Sequence, residues 1–234
     1  MQPNYISSAC STIDALLAGG FPCGAISLIY GEASTGKTSL AIQCAVNCAK
    51  EGFKVIFIDG DNAFSVKRLI QIAGSDLNNI SNSIFLFTPS SFQDQGIFIE
   101  NLDSFVSKRV SLIIIDTITS LYQLELSSKS AFVLNRELNR QLAYLMQVCK
   151  ERDVAAVVLS GVHSILYDSG KISEIEPVAN RVLNFWSSIT LKLERVPQSR
   201  FRKAVLEKHF EPKLNNRRCL YTLTDNGLSR VNNE

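Results

Sequence analysis

With 234 residues, 46% hydrophobic and 20% charged, the chain is long enough to bury one large α/β core and too apolar to be disordered. Its 24 Lys and Arg against 22 Asp and Glu leave a formal charge of +2, which excludes nucleic-acid binding driven by global charge; any such site must be a local patch. No apolar run approaches the ~18 residues that a membrane span requires, and Met1-Gln2-Pro3-Asn4 carries neither the basic nor the apolar stretch of a secretory signal.

In chain order, Ala25–Tyr30 reads as a buried strand and Thr38–Lys50 as a helix ended by Gly52. Lys54–Asp59 is a second strand, Ser65–Ala73 a helix stopped by Gly74, Ile84–Phe87 a short strand and Ile97–Val106 a helix. Leu112–Ile115 is apolar throughout, as in a central strand covered on both faces. Leu134, Leu138, Leu142, Leu145 and Val148 give 134–152 a helical period, and Val154–Leu159 is the next buried strand. Gly161–Pro177 has no clear period and reads as a mobile loop. Beyond it Ile189–Leu193, Ala204–Leu206 and Cys219–Leu223 are short strands, with a turn at Asp225-Asn226-Gly227. Strands alternating with helices predict a mostly parallel, doubly wound α/β sheet, extended by C-terminal antiparallel strands.

Cys10, Cys23, Cys44, Cys48, Cys149 and Cys219 include no C-x-x-C pair, and the two histidines, His163 and His209, are far apart. That spacing argues against a zinc site and for small buried hydrophobes in a reducing, cytoplasmic setting.

The most specific signal is Gly31-Glu32-Ala33-Ser34-Thr35-Gly36-Lys37-Thr38, followed by Ser39, which matches the P-loop pattern G-x-x-x-x-G-K-[ST] between a strand and a helix. Glycines let successive N–H groups face phosphate oxygens, and the helix start adds free donors and partial positive charge. Lys37 would reach the β/γ-phosphates of ATP and Thr38 would ligate Mg²⁺. Asp116, at the end of the Leu112–Ile115 strand, would supply the second group at the metal. Asp59 and Asp61, just past the second strand, are the candidates to hold an attacking water; both are equally readable as turn formers.

These residues resemble the RecA/RadA recombinase superfamily, and most closely its archaeal RadB paralogues. The resemblance runs from Ser11–Phe21 through the P-loop, Phe57–Phe64 with Arg68-Leu69, Phe85–Phe92, Asp116–Tyr122 and Ala204–His209. It implies a RecA-like P-loop NTPase core over 1–234, without the N-terminal helical DNA-binding domain or the polymerisation linker of full recombinases. It also implies a role in DNA repair and homologous recombination, with single-stranded DNA, the main RadA-type recombinase and a Holliday-junction resolvase as partners. Arg68 falls where the family stacks a guanidinium on adenine. Two departures stand out. Asp61 replaces a Glu, and Ser160-Gly161 replaces Asn-Gln, whose Gln couples the γ-phosphate to the mobile DNA-binding loop. Both imply slow hydrolysis.

The resemblance places DNA contacts at 122–132 and 161–178, where Lys129 and Lys171 are offset by Glu125, Asp168, Glu174 and Glu176. Affinity through these loops should therefore be modest; Tyr122, His163 and Tyr167 are candidates to stack on bases or to pack locally. Between Lys192 and Arg218 nine cationic residues face three acidic ones, which reads either as a DNA or partner surface or as a solvated hairpin. Two other classes stay open: an interaction module that nucleotide merely stabilises, and a small-molecule P-loop kinase.

Overall fold

The computed structural model describes residues 3–166 and 172–231. Strand β1 (Tyr5–Ile6) pairs antiparallel with β2 (Phe21–Pro22), with helix α1 (Ser11–Leu16) between them. Then follow β3 (Ile26–Gly31), α2 (Lys37–Lys50), β4 (Lys54–Asp59), α3 (Val66–Ala73), α4 (Leu77–Ser81), β5 (Ile84–Phe87), α5 (Phe92–Glu100) and α6 (Leu102–Phe105). After these come β6 (Val110–Asp116), α7 (Ser120–Glu125), α8 (Ala131–Arg152), β7 (Ala155–Ser160), β8 (Val162–Leu166), β9 (Ile172–Pro177) and α9 (Asn180–Trp186). The chain closes with β10 (Ile189–Arg195), β11 (Phe201–Lys208), β12 (Arg217–Thr224) and β13 (Gly227–Arg230).

Nine strands form one sheet in the order β13-β12-β11-β10-β3-β7-β6-β4-β5. From β10 to β5 every neighbouring pair is parallel, and β10 through β13 pair antiparallel. The α/β architecture is the expected one: a mostly parallel sheet with antiparallel strands added at its C-terminal end. Alternation along the strands sorts the core into two layers. Ile29, Val55, Phe57, Leu112, Ile114, Val157 and Leu159 pack with α1, α2 and α3 on one face. Leu28, Ile56, Ile58, Ile113, Ile115 and Val158 pack with α5, α6, α8 and α9 on the other. Every residue of β3, β6 and β7 is buried, so these strands read as near-continuous apolar runs, broken within only by Ser27 and Ser111, rather than alternating ones. Cys44 and Cys48 lie in the first layer.

Two expectations need correction. The helix read over 97–106 is two helices that start earlier. Ser91 caps α5 by accepting from Asp94 N at 3.0 Å, and Asn101, whose side chain donates to Ile97 O at 2.7 Å, separates α5 from α6. The segment read as a loop over 161–177 contains the antiparallel hairpin β8–β9, with His163 opposite Glu176 and Val162 opposite Pro177. This hairpin is a separate two-stranded sheet, so it lacks the in–out alternation that reveals core strands. Tyr167, Asp168 and Lys171 lie outside the described residues.

No helix among the described residues is long and apolar enough to cross a membrane.

Candidate functional site

The ends of β3, β4 and β6 bring the sequence-derived site residues to one edge of the parallel sheet, where such sheets bind ligands. Gly31 closes β3 at φ 151°, and a Cβ there would run into the backbone oxygen of Leu193 on the adjoining strand β10. Glu32, Ala33 and Ser34 are exposed, whereas Thr35 is buried, its hydroxyl donating to Glu32 O at 2.9 Å. Gly36 stands at the N-cap of α2 with φ 103°. It has no side chain to satisfy the first helical N–H groups, and a Cβ would lie 2.7 Å from the Leu223 side chain. The loop is therefore a cradle that ends on an uncapped helix start, which fits a phosphate chain.

Lys37 projects back over this loop, donating to Gly31 O at 2.7 Å and Glu32 O at 2.9 Å. Burial pulls its pKa down, opposed by the carboxylates of Asp116, Asp61 and Glu32. Asp116 is only 2% exposed. Burial pushes its pKa up to about 6, against the Thr38 hydroxyl that hydrogen-bonds it; Asp61 and Asp59 add to the rise. A carboxylate paired with a hydroxyl, desolvated and surrounded by like charges, is a donor set that a divalent cation would relieve.

The two candidate water-holding carboxylates separate. Asp59 is buried and committed to the turn, its two oxygens accepting from Ala63 N at 3.0 Å and Phe64 N at 2.8 Å. Asp61 is exposed, and its charge acts on both Lys37 and Asp116. Arg68, on α3, donates to Ser39 Oγ (3.2 Å), Gln71 Oε1 (3.3 Å), Thr224 O (2.8 Å) and Asp225 O (3.0 Å). Held by its edges between α2 and the β12–β13 turn, the guanidinium keeps a fixed plane beside the cradle.

Three residues at this site escaped sequence reading. Tyr221 donates from a buried hydroxyl to Thr35 O at 2.7 Å, Arg195 donates to Ala33 O at 2.6 Å, and Leu223 walls Gly36. More than 150 residues separate each from the loop, and no local pattern marks them.

The expected nucleic-acid elements fare unevenly. Tyr122 is not a base-stacking residue: it is buried in the second core layer, bonded to Asn135 Oδ1 at 3.0 Å and edge-on to Phe92. Around it, however, Leu124 and Phe132 are exposed at 72% and 77%. His163 is exposed. In the C-terminal cationic stretch, Lys192 and Lys203 both pair with Glu194, Lys213 with Glu211, and Lys208 donates to Asn184 O. These contacts fix four of the lysines in place, while the stretch keeps its excess of cationic over acidic residues.

The Rad51 family matches residues 4–231. The chain is 35% identical over 201 residues to the DNA repair and recombination protein RadB of Methanosphaera stadtmanae, with 85% of each chain covered. It is 32% identical over 230 residues to RadB of Thermococcus kodakarensis, covering 97% of this chain and 99% of that one. A crystal structure of a RadB recombinase superposes with a TM-score of 0.81 at 31% identity, covering 97% of this chain and all of the other. The fold is RecA-like, and the chain belongs to the Rad51 family, in its RadB branch.

Proposed function

We propose that this chain binds ATP with Mg²⁺ in the 31–38 cradle and acts as an accessory in DNA repair and homologous recombination, binding single-stranded DNA with modest affinity. The observation that carries the reading is the uncapped start of α2 beside the Lys37 amine and the Thr38–Asp116 pair. The amides of 32–38 and Lys37 would hold phosphates, Thr38 and Asp116 the metal, and Arg68 with Ser39 the base side. Bound Mg²⁺ would supply charge neutralisation at the phosphates. Asp61 is the candidate to orient water; one methylene shorter than Glu, it makes turnover slow. Gly161 has no side chain with which to sense a phosphate, which weakens hydrolysis and its coupling to DNA; with turnover slow, nucleotide acts chiefly as a conformational or assembly switch. The family resemblance extends the reading to a RadA-type recombinase and a Holliday-junction resolvase as partners, and to a single core domain.

Affinity for a single-stranded oligonucleotide, measured with ATP, ADP and no nucleotide for wild type and Lys37→Ala, tests this. Unequal affinities in the wild type alone support it. A second reading, an interaction module that nucleotide only stabilises, draws on the Arg195 and Tyr221 contacts that already hold the loop. Equal affinities together with a nucleotide-dependent rise in Tm would select it.

A further inference from the structure

The hairpin β8–β9 stands apart from the main sheet, and the way it is fastened is specific. β6 and β7 pair in register as far as Ile115 and Val158. Beyond that point Ile118 N donates to Leu159 O at 3.0 Å, and the next link is the hydroxyl of Thr119. Thr119 is fully buried, three residues past Asp116, and its carbonyl accepts from Gln123 N at the start of α7. Its Oγ1 accepts from Gly161 N at 3.2 Å and lies 3.3 Å from Ser160 Oγ. Ser160 donates its own proton to Gly161 O at 2.8 Å, so the Thr119 hydroxyl is the donor to Ser160. Gly161 O also accepts from Val178 N at 3.1 Å, on the far leg of the hairpin. Through its hydroxyl and its carbonyl, one buried residue thus ties the segment after Asp116 to the root of the hairpin and to the first turn of α7. A Cβ at 161 would sit in ordinary contact with Gln123 Oε1 and Thr119 Oγ1, at 3.5 and 4.0 Å.

We infer that Thr119 is the positioning residue through which occupancy of the nucleotide site reaches the β8–β9 hairpin, standing in for a side chain at 161. This rests on the functional reading above. A shift of the 116–119 segment when a cation engages Asp116 would move the Gly161 N–H acceptor directly. A neutral hydrogen bond limits the transmitted effect to about tenfold in affinity.

The test uses the full chain as wild type, Thr119→Val, Thr119→Ala and Thr119→Ser. Nucleotide affinity is titrated with a fluorescent ATP analogue and Mg²⁺. Hydrogen–deuterium exchange at the Gly161, Val162 and Val178 amides, and affinity for an oligo-dT strand, are each compared between a non-hydrolysable ATP analogue and ADP. In wild type and Thr119→Ser the exchange and the DNA affinity are expected to differ between nucleotides, by up to tenfold. In Thr119→Val and Thr119→Ala nucleotide affinity stays within about twofold while that difference vanishes. Retention of the difference in Thr119→Val overturns the inference, and Thr119→Ala decides if that variant does not fold. A wild type that binds nucleotide without any response at the hairpin also overturns it and leaves the nucleotide site standing. Failure of the wild type to bind nucleotide removes the functional reading itself.

Discussion

Replacing Asp116 with Asn should stabilise the ligand-free protein at neutral pH while destroying its response to Mg²⁺-nucleotide. The carboxyl is 2% exposed, and folding raises its pKa from 3.8 to about 6. A group whose folded pKa is raised favours folding most at low pH, and that advantage is lost as pH climbs through the folded value. Taking the rise from 3.8 to about 6 at ~1.4 kcal/mol per tenfold, the ionised side chain costs the folded state roughly 3 kcal/mol at pH 7 and above. Asparagine keeps an oxygen for the Thr38 hydroxyl and removes the charge. Urea denaturation in EDTA, from pH 4 to pH 8, should give curves for wild type and Asp116→Asn that agree near pH 4 and diverge to as much as ~3 kcal/mol in favour of the variant by pH 7. Taking the difference between the two proteins cancels the carboxylates that do not interact with Asp116. A difference independent of pH, or a variant less stable throughout, would refute the picture of a desolvated carboxylate held for a cation.

Gly36→Ala places a Cβ against Leu223 at φ 103° and should cost ~1–3 kcal/mol by denaturant midpoint; adding Leu223→Ala should recover only the steric share. Tyr221→Phe strands the buried Thr35 carbonyl and should cost ~1–3 kcal/mol, read as a lowered Tm; an unchanged Tm contradicts the contact. Arg68→Met should weaken ATP about three- to tenfold while leaving inorganic triphosphate untouched, and equal losses for both would take Arg68 away from the base.

Much of this architecture is legible because its determinants are local. Val-Ile-Phe-Ile into Asp59, and Leu112–Ile115 into Asp116, announce central strands that end in carboxylates, and Gly36-Lys37-Thr38 announces a helix start. The hairpin is illegible for the opposite reason: its partners pair with each other rather than with the core. Asp59 and Asp61 are chemically alike in the sequence, and only the turn amides of Ala63 and Phe64 tell them apart. Tyr122 shows the same limit, since its proximity to a functional segment says nothing of the side on which its ring is buried. Within the cationic stretch a charge count along the chain does not say which cations are paired, and only the cross-strand register shows Glu194 taken up by Lys192 and Lys203.

The clasp of Tyr221, Leu223 and the Thr224–Asp225 carbonyls around the loop and α3 joins segments more than 150 positions apart. During translation the Gly-rich turn leaves the ribosome long before its clasp does. The loop is therefore fastened only after the segment through Asp225 has been added, and a copy cut short before Tyr221 would keep the whole 31–38 turn yet lack these contacts.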